Sequence, residues 1–144
     1  IVFYYLKIIN KERYKEFFFS FLKGIGNIDE EIKQFWKENR EKIKDWYLNQ
    51  KNKNDIVISA SPEWLLKPIT NELGIRLIAT KINKKTGEFN GLNCYGEEKV
   101  KRFKEKFPNE EIENFYSDHY SDIPMSLISK NSWIIRGNII REWK

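Results

Sequence analysis

Two carboxylates at an i, i+4 spacing, Asp118 and Asp122, close an apolar run in the stretch Phe115-Tyr116-Ser117-Asp118-His119-Tyr120-Ser121-Asp122-Ile123-Pro124. The run reads as a short buried strand that stops at the acids and is followed at once by a helix start. Carboxylates at the carboxyl end of a strand, in an open sheet flanked by helices, sit where such folds bind ligands. Two Asp side chains converging there suit a hard cation such as Mg²⁺, which takes oxygen ligands and keeps waters for its substrate. A plainer reading stands beside this one: Asp118 closes a turn, and Asp122 caps a helix that tolerates Pro124 in its first turn.

Two further places have residue types suited to anion chemistry. Ser59 and Ser61 follow the β-branched run Ile56-Val57-Ile58 and precede Pro62, a good first helical residue. Free amides and the positive end of a helix dipole meet there, and a hydroxyl adds a donor for a phosphoryl oxygen. The competing role for Ser61 is a helix cap. Lys99 lies in the first turn of a helix opened by Gly96-Glu97-Glu98. A cation opposes the dipole there, so Lys99 needs another reason, such as stabilising a bound anion. Otherwise it is one solvated lysine among Lys101, Lys104 and Lys106.

The elements that must position these residues follow from periodicity. From residue 51 onward strand and helix patterns alternate: a strand at Ile56–Ile58, a helix from Pro62 to Gly74, and a strand at Arg76–Thr80. A helix from Gly96 to near Pro108, a strand at Ile112–Ser117, a short helix through Leu127 and a strand at Trp133–Ile135 complete the series. Such alternation predicts a parallel sheet with right-handed crossovers. Residues 1–50 read as helical, with Gly24 and Gly26 ending a first helix and Asn27 or Asp29 capping a second. In that second helix Ile32, Phe35, Trp36, Ile43, Trp46 and Tyr47 share one face at the helical period. The polar stretch Gln50-Lys51-Asn52-Lys53-Asn54 marks the boundary, giving a helical region over 1–50 and an α/β core over 51–144.

Composition narrows the function classes. In 144 residues there are 26 Lys and Arg against 21 Asp and Glu, and the surplus is spread along the chain. A spread surplus favours solubility over nucleic-acid binding. Cys94 is the only cysteine and His119 the only histidine, so an intrachain disulfide, a Cys-based zinc site and a His-rich metal site are excluded. The opening run Ile1-Val2-Phe3-Tyr4-Tyr5-Leu6 is too short to span a bilayer, and Lys7 interrupts it. It lacks an initiating Met and the parts of a signal peptide, and is expected to continue a helix from a preceding part of a longer protein.

Taken together and in this order, Ile56-Val57-Ile58-Ser59-Ala60-Ser61, Gly96-Glu97-Glu98-Lys99 and Phe115-Tyr116-Ser117-Asp118 with Asp122 resemble the haloacid dehalogenase (HAD) superfamily. The phosphoserine-phosphatase-like branch is the one most similar, and Gly87-Glu88-Phe89-Asn90-Gly91 also fits it. The resemblance implies a HAD-like Rossmannoid parallel sheet with an N-terminal helical cap. It implies a Mg²⁺-dependent hydrolase of a small phosphate monoester, acting in the cytoplasm on a small phosphorylated metabolite. Ser59 then matches the strand-end hydroxyl that binds the transferring phosphoryl group, with Ala60 and Ser61 beside it. Lys99 matches the lysine that neutralises nucleophile and phosphate, Asp118 the Mg²⁺ ligand, and Asp122 the acid that orders the water shell or the lysine.

One part of the family pattern is absent. The first strand of such proteins ends in Asp-x-Asp, whose first acid forms an aspartyl-phosphate and whose second is the general acid and base. No Asp-x-Asp occurs in this sequence. The first strand is therefore expected to be missing, leaving a gap between the strands at Ile56–Ile58 and Ile112–Ser117, and the chain alone is expected to be inactive. The alternative is a non-catalytic phosphate-binding or interaction module. A third reading, from the aromatic and basic helical half, is a protein that lies on a membrane surface without stable insertion.

Overall fold

A computed structural model describes residues 2–4 and 27–143. Their strands form one six-stranded sheet in the order β3-β2-β1-β4-β5-β6, with β1 at Val2–Tyr4, β2 at Ile56–Pro62, β3 at Arg76–Thr80, β4 at Ile112–Ser117, β5 at Ser129–Arg136 and β6 at Ile139–Glu142. Strands β1 to β5 pair in parallel, and β6 turns back antiparallel on β5. Successive strand side chains point to opposite faces. Val57 accordingly joins one apolar layer while Ile56 and Ile58 join the other.

The centre of the sheet differs from expectation. The gap foreseen between β2 and β4 is filled by β1, where Phe3 pairs with Ile56 on one side and with Phe115 on the other. The opening residues are therefore strand over Val2–Tyr4 and not the continuation of a helix. A short apolar run does not reveal its period, and here β-branched and aromatic residues favour strand. The tertiary context decides as well, because β2 and β4 would otherwise bury unpaired backbone groups.

The layer against Val57 holds α1 (Ile28–Asn39), α2 (Asp45–Gln50) and α3 (Glu63–Leu73). Asn27 caps α1 by accepting the N–H of Asp29 on its side chain, 3.0 Å away. The expected single aromatic helix is two: α1 gives way to a 3₁₀ turn at Arg40–Lys42, and the extended Ile43 and Lys44 lead into α2. The apolar face survives the break. Ile32, Phe35, Trp36, Ile43 and Tyr47 pack in one cluster with Leu65, Leu66 and Ile69 of α3 and Tyr116 of β4. Trp36 donates its indole N–H to the Leu65 carbonyl at 2.6 Å. The expected division at residue 50 thus falls where no break in packing occurs: residues 28–50 share their core with the sheet. The rest of the expected helical region, 5–26, lies outside the described residues.

The other layer holds α4 (Glu97–Lys106) and α5 (Ile123–Leu127), with Phe103 and Met125 packed on Ile56, Ile58, Ile78 and Phe115. Helix α3 ends at Gly74, whose left-handed backbone (φ 69°) lets its N–H reach Asn71 O while Ile75 N–H reaches Thr70 O. That geometry is open to glycine at no steric cost. On the outer edge of β3 the carbonyls of Leu77 and Ala79 accept hydrogen bonds from Lys106 and Arg102, which blunts the edge and ties α4 down. The last strand is longer than its apolar core suggested, and β6 was not foreseen. Both follow from a hairpin turn at Gly137, where φ is 62°.

Candidate functional site

Phe3 is level with both Ile56 and Phe115; Ser59 comes three residues after the first, where β2 begins to bulge, and Asp118 three after the second, directly beyond β4. One strand separates β2 from β4, so these two backbones are about 10 Å apart. Open parallel sheets bind ligands beyond the carboxyl ends of such strands.

The β2 wall is shaped by a bulge. Ser59 pairs with Ala79 but the next pair is Pro62 with Thr80, so Ala60 and Ser61 are extra residues in β2. A bulge re-aims side chains at the end of a strand. Ser59 is buried, and its hydroxyl oxygen accepts the N–H of Ser61 at 3.0 Å, closing a tight turn. Ser61 itself is half-buried and does not cap α3. The cap position is taken by Pro62, in extended conformation and with no side-chain cap bond. Proline ends the strand here instead of opening the helix, because the bulge carries the strand past Ser61.

Opposite, Lys99 and Asp122 meet. Gly96 opens α4 with φ 56° and ψ −125°, which places Lys99 in the first turn after Glu97 and Glu98. Lys99 Nζ lies 2.7 Å from Asp122 Oδ1, and both residues are 3% exposed. A buried ammonium and a buried carboxylate are tolerated only when paired and hydrogen-bonded. The pair accounts for a lysine where the helix dipole disfavours one. Ser117 completes it by donating its hydroxyl to Asp122 Oδ2 at 2.6 Å, and the same hydroxyl oxygen accepts the His119 N–H at 3.1 Å. Asp122 stands at the cap position of α5, yet its side chain makes no cap bond and serves Lys99 and Ser117. Ser117 was overlooked in the sequence; a serine at the last position of a strand, facing the side that packs on α4, was its only signal.

Asp118 is half-buried at the end of β4, and its carbonyl accepts a hydrogen bond from Arg136. The turn that follows is closed by its neighbour: exposed His119 accepts the N–H of Ser121 on Nδ1 at 3.0 Å and thereby caps the 3₁₀ turn Tyr120–Asp122. Among the described residues no cluster of three or more His, Cys, Asp or Glu side chains is placed to hold a metal ion. Cys94 is near the pair but chemically quiet. Burial pushes its thiol pKa up, against the opposing pull of Arg102 and Lys99, and its N–H is fixed on Thr80 Oγ1 at 2.9 Å. A neutral buried thiol is a poor nucleophile.

The structure therefore brings Lys99, Asp122 and Ser117 together on the α4 side of β4. Ser59, Ala60 and Ser61 stand on β2, across β1 from them. No described helix is long and apolar enough to cross a membrane. In comparison with known proteins, a family model for haloacid dehalogenase-like hydrolases matches residues 1–126. No curated protein matches the chain, and no solved structure does.

Proposed function

The chain belongs to the haloacid dehalogenase-like hydrolases, and on that premise we propose that it binds a small phosphorylated molecule at the ends of β2 and β4 without splitting it through an aspartyl-phosphate. The observation that carries this reading is at the centre of the sheet. Strand β1 occupies the place of the family's first strand, and the sequence directly after it is Tyr5-Leu6-Lys7. Tyr5 and Lys7 then stand in the sequence where the Asp-x-Asp acids belong, and the first carboxylate of the chain is Glu12. In the sequence a phenol and an ammonium stand in place of the carboxylates that would serve as nucleophile and as general acid and base. Binding groups remain: the Ser59 hydroxyl, the backbone of the bulge at Ala60 beside it, and the Lys99 ammonium held by Asp122.

Asp118 is the residue that would hold Mg²⁺, and the ion would supply neutralisation of a phosphate dianion there. Asp122 is turned to Lys99, and the sequence directly after β1, Tyr5-Leu6-Lys7, holds no acid, so among the described residues protein ligands alone are too few. The ion is expected to bind together with the anion, as Mg²⁺ does where one carboxylate and phosphate oxygens share it. Titration calorimetry with phosphoserine, with and without Mg²⁺, tests this. Binding that needs Lys99 and strengthens with the ion supports the reading, and the absence of heat at millimolar ligand opposes it.

Hydrolysis of a phosphate monoester in the manner of the phosphoserine-phosphatase-like branch is the second reading. The buried Lys99–Asp122–Ser117 network favours it, since a fixed cation in a dry site suits charge that develops during phosphoryl transfer.

A further inference from the structure

Three large apolar side chains stand in water within one loop. Phe89, Leu92 and Tyr95, between β3 and α4, are 58%, 64% and 55% exposed. The loop is held in shape. Asn83 Oδ1 accepts the N–H groups of Lys85 and Thr86, Ile82 and Phe89 form a short antiparallel bridge, and Arg102 holds the Leu92 carbonyl. A loop braced so firmly, with its apolar residues outward, has the character of a contact surface.

Its surroundings are cationic. Beside Asn90 lies a cavity of about 550 Å³ whose lining includes Trp64, Lys67, Lys81 and Lys84, with Glu63 as the one acid among the described residues. Lys84 also reaches the exposed Asp29 at 2.8 Å, and Lys85 adds a further charge on the loop next to Glu88.

We infer that this edge docks on an anionic lipid surface, with Phe89, Leu92 and Tyr95 entering the boundary between headgroups and acyl chains and the lysine-lined cavity receiving a lipid phosphate. Exposed apolar side chains on a loop that adjoins a lysine-lined cavity match an interface that is apolar within and negatively charged at its face. Tyrosine suits the headgroup level, and lysine stems extend beside apolar matter while their ammonium groups stay in water. The net charge of +5 acts in the same sense. Docking of this kind is reversible, and it does not depend on what the strand-end site does with phosphate.

Flotation of the full chain with vesicles of phosphatidylcholine containing about one-quarter phosphatidylglycerol tests the inference. The chain should float with these vesicles and not with pure phosphatidylcholine, and release should grow as salt is raised. Lys81→Gln and Lys84→Gln should each weaken partition by about fivefold. Phe89→Ser with Leu92→Ser should weaken it by about tenfold or more. Lys81, Phe89 and Leu92 are exposed and Lys84 is half-buried at the surface, so circular dichroism should be unchanged. Absence of flotation on anionic vesicles overturns the inference, as does equal flotation on neutral ones. So does a dimer that forms in solution and dissociates in the Phe89→Ser, Leu92→Ser variant, which would assign the surface to a second copy of the chain.

Discussion

Lys99 and Asp122 form a buried ion pair, 2.7 Å from Nζ to Oδ1, that joins the first turn of α4 to the loop after β4. Removing one partner leaves the other charged and buried. Lys99→Met should therefore destabilise the fold by about 3–5 kcal/mol in urea denaturation. The double variant Lys99→Met, Asp122→Leu should recover most of that loss, because no lone charge remains. A single variant as stable as the parent would mean that the pair is open to water.

Tyr47 tests whether residues 28–50 are part of the core. Its ring is fully buried, and its hydroxyl donates to Asp55 Oδ2 at 2.9 Å, at the start of β2. Tyr47→Phe should lower global stability by about 1.5–3 kcal/mol, the range for a bond to a charged group. The loss should appear in one cooperative transition. Two separate transitions, only one of them shifted, would restore the helical segment as an independent unit.

The serines of β2 should separate cleanly. Ser59→Ala removes the acceptor for the Ser61 N–H and loosens the bulge, at about 1 kcal/mol. Ser61→Ala touches no cap and should stay within about 0.5 kcal/mol of the parent. Phosphoserine affinity should fall in the first variant and hold in the second. The reverse order would make Ser61 the binding hydroxyl.

These contrasts show what the sequence could and could not convey. The alternation from Ile56 to Ile135 revealed the parallel sheet, because buried strands and amphipathic helices each leave their own period. Lys99 stood out through its conflict with the helix dipole, although its partner among the nearby acids is a matter of tertiary packing. Val2–Tyr4 was misread because three residues carry no period, and only the needs of β2 and β4 on either side make them strand. Ser61 was ambiguous for a similar reason: a bulge extends β2 past the position where Pro62 would otherwise start a helix.

Cys94 should be inert in the folded protein. Burial raises its pKa, so at pH well below 9.0, its ordinary value, the thiol is protonated in both folded and unfolded chains and makes no pH-dependent contribution. Above that, the unfolded chain loses the proton first, and stability should fall as pH rises. A disulfide reagent at pH 8 should label Cys94 at the rate of unfolding. Immediate labelling of the native protein would show the thiol to be accessible.

The central claim is that β1 fills the middle of the sheet without delivering a carboxylate to its end. Release of p-nitrophenol from p-nitrophenyl phosphate tests it directly, with Mg²⁺ present, for the unaltered chain beside its Tyr5→Asp, Lys7→Asp variant. The unaltered chain should not exceed the buffer blank, and the variant, with both acids restored, should gain Mg²⁺-dependent turnover that Asp118→Asn removes. Mg²⁺-dependent turnover by the unaltered chain, abolished by Asp118→Asn, would contradict the account.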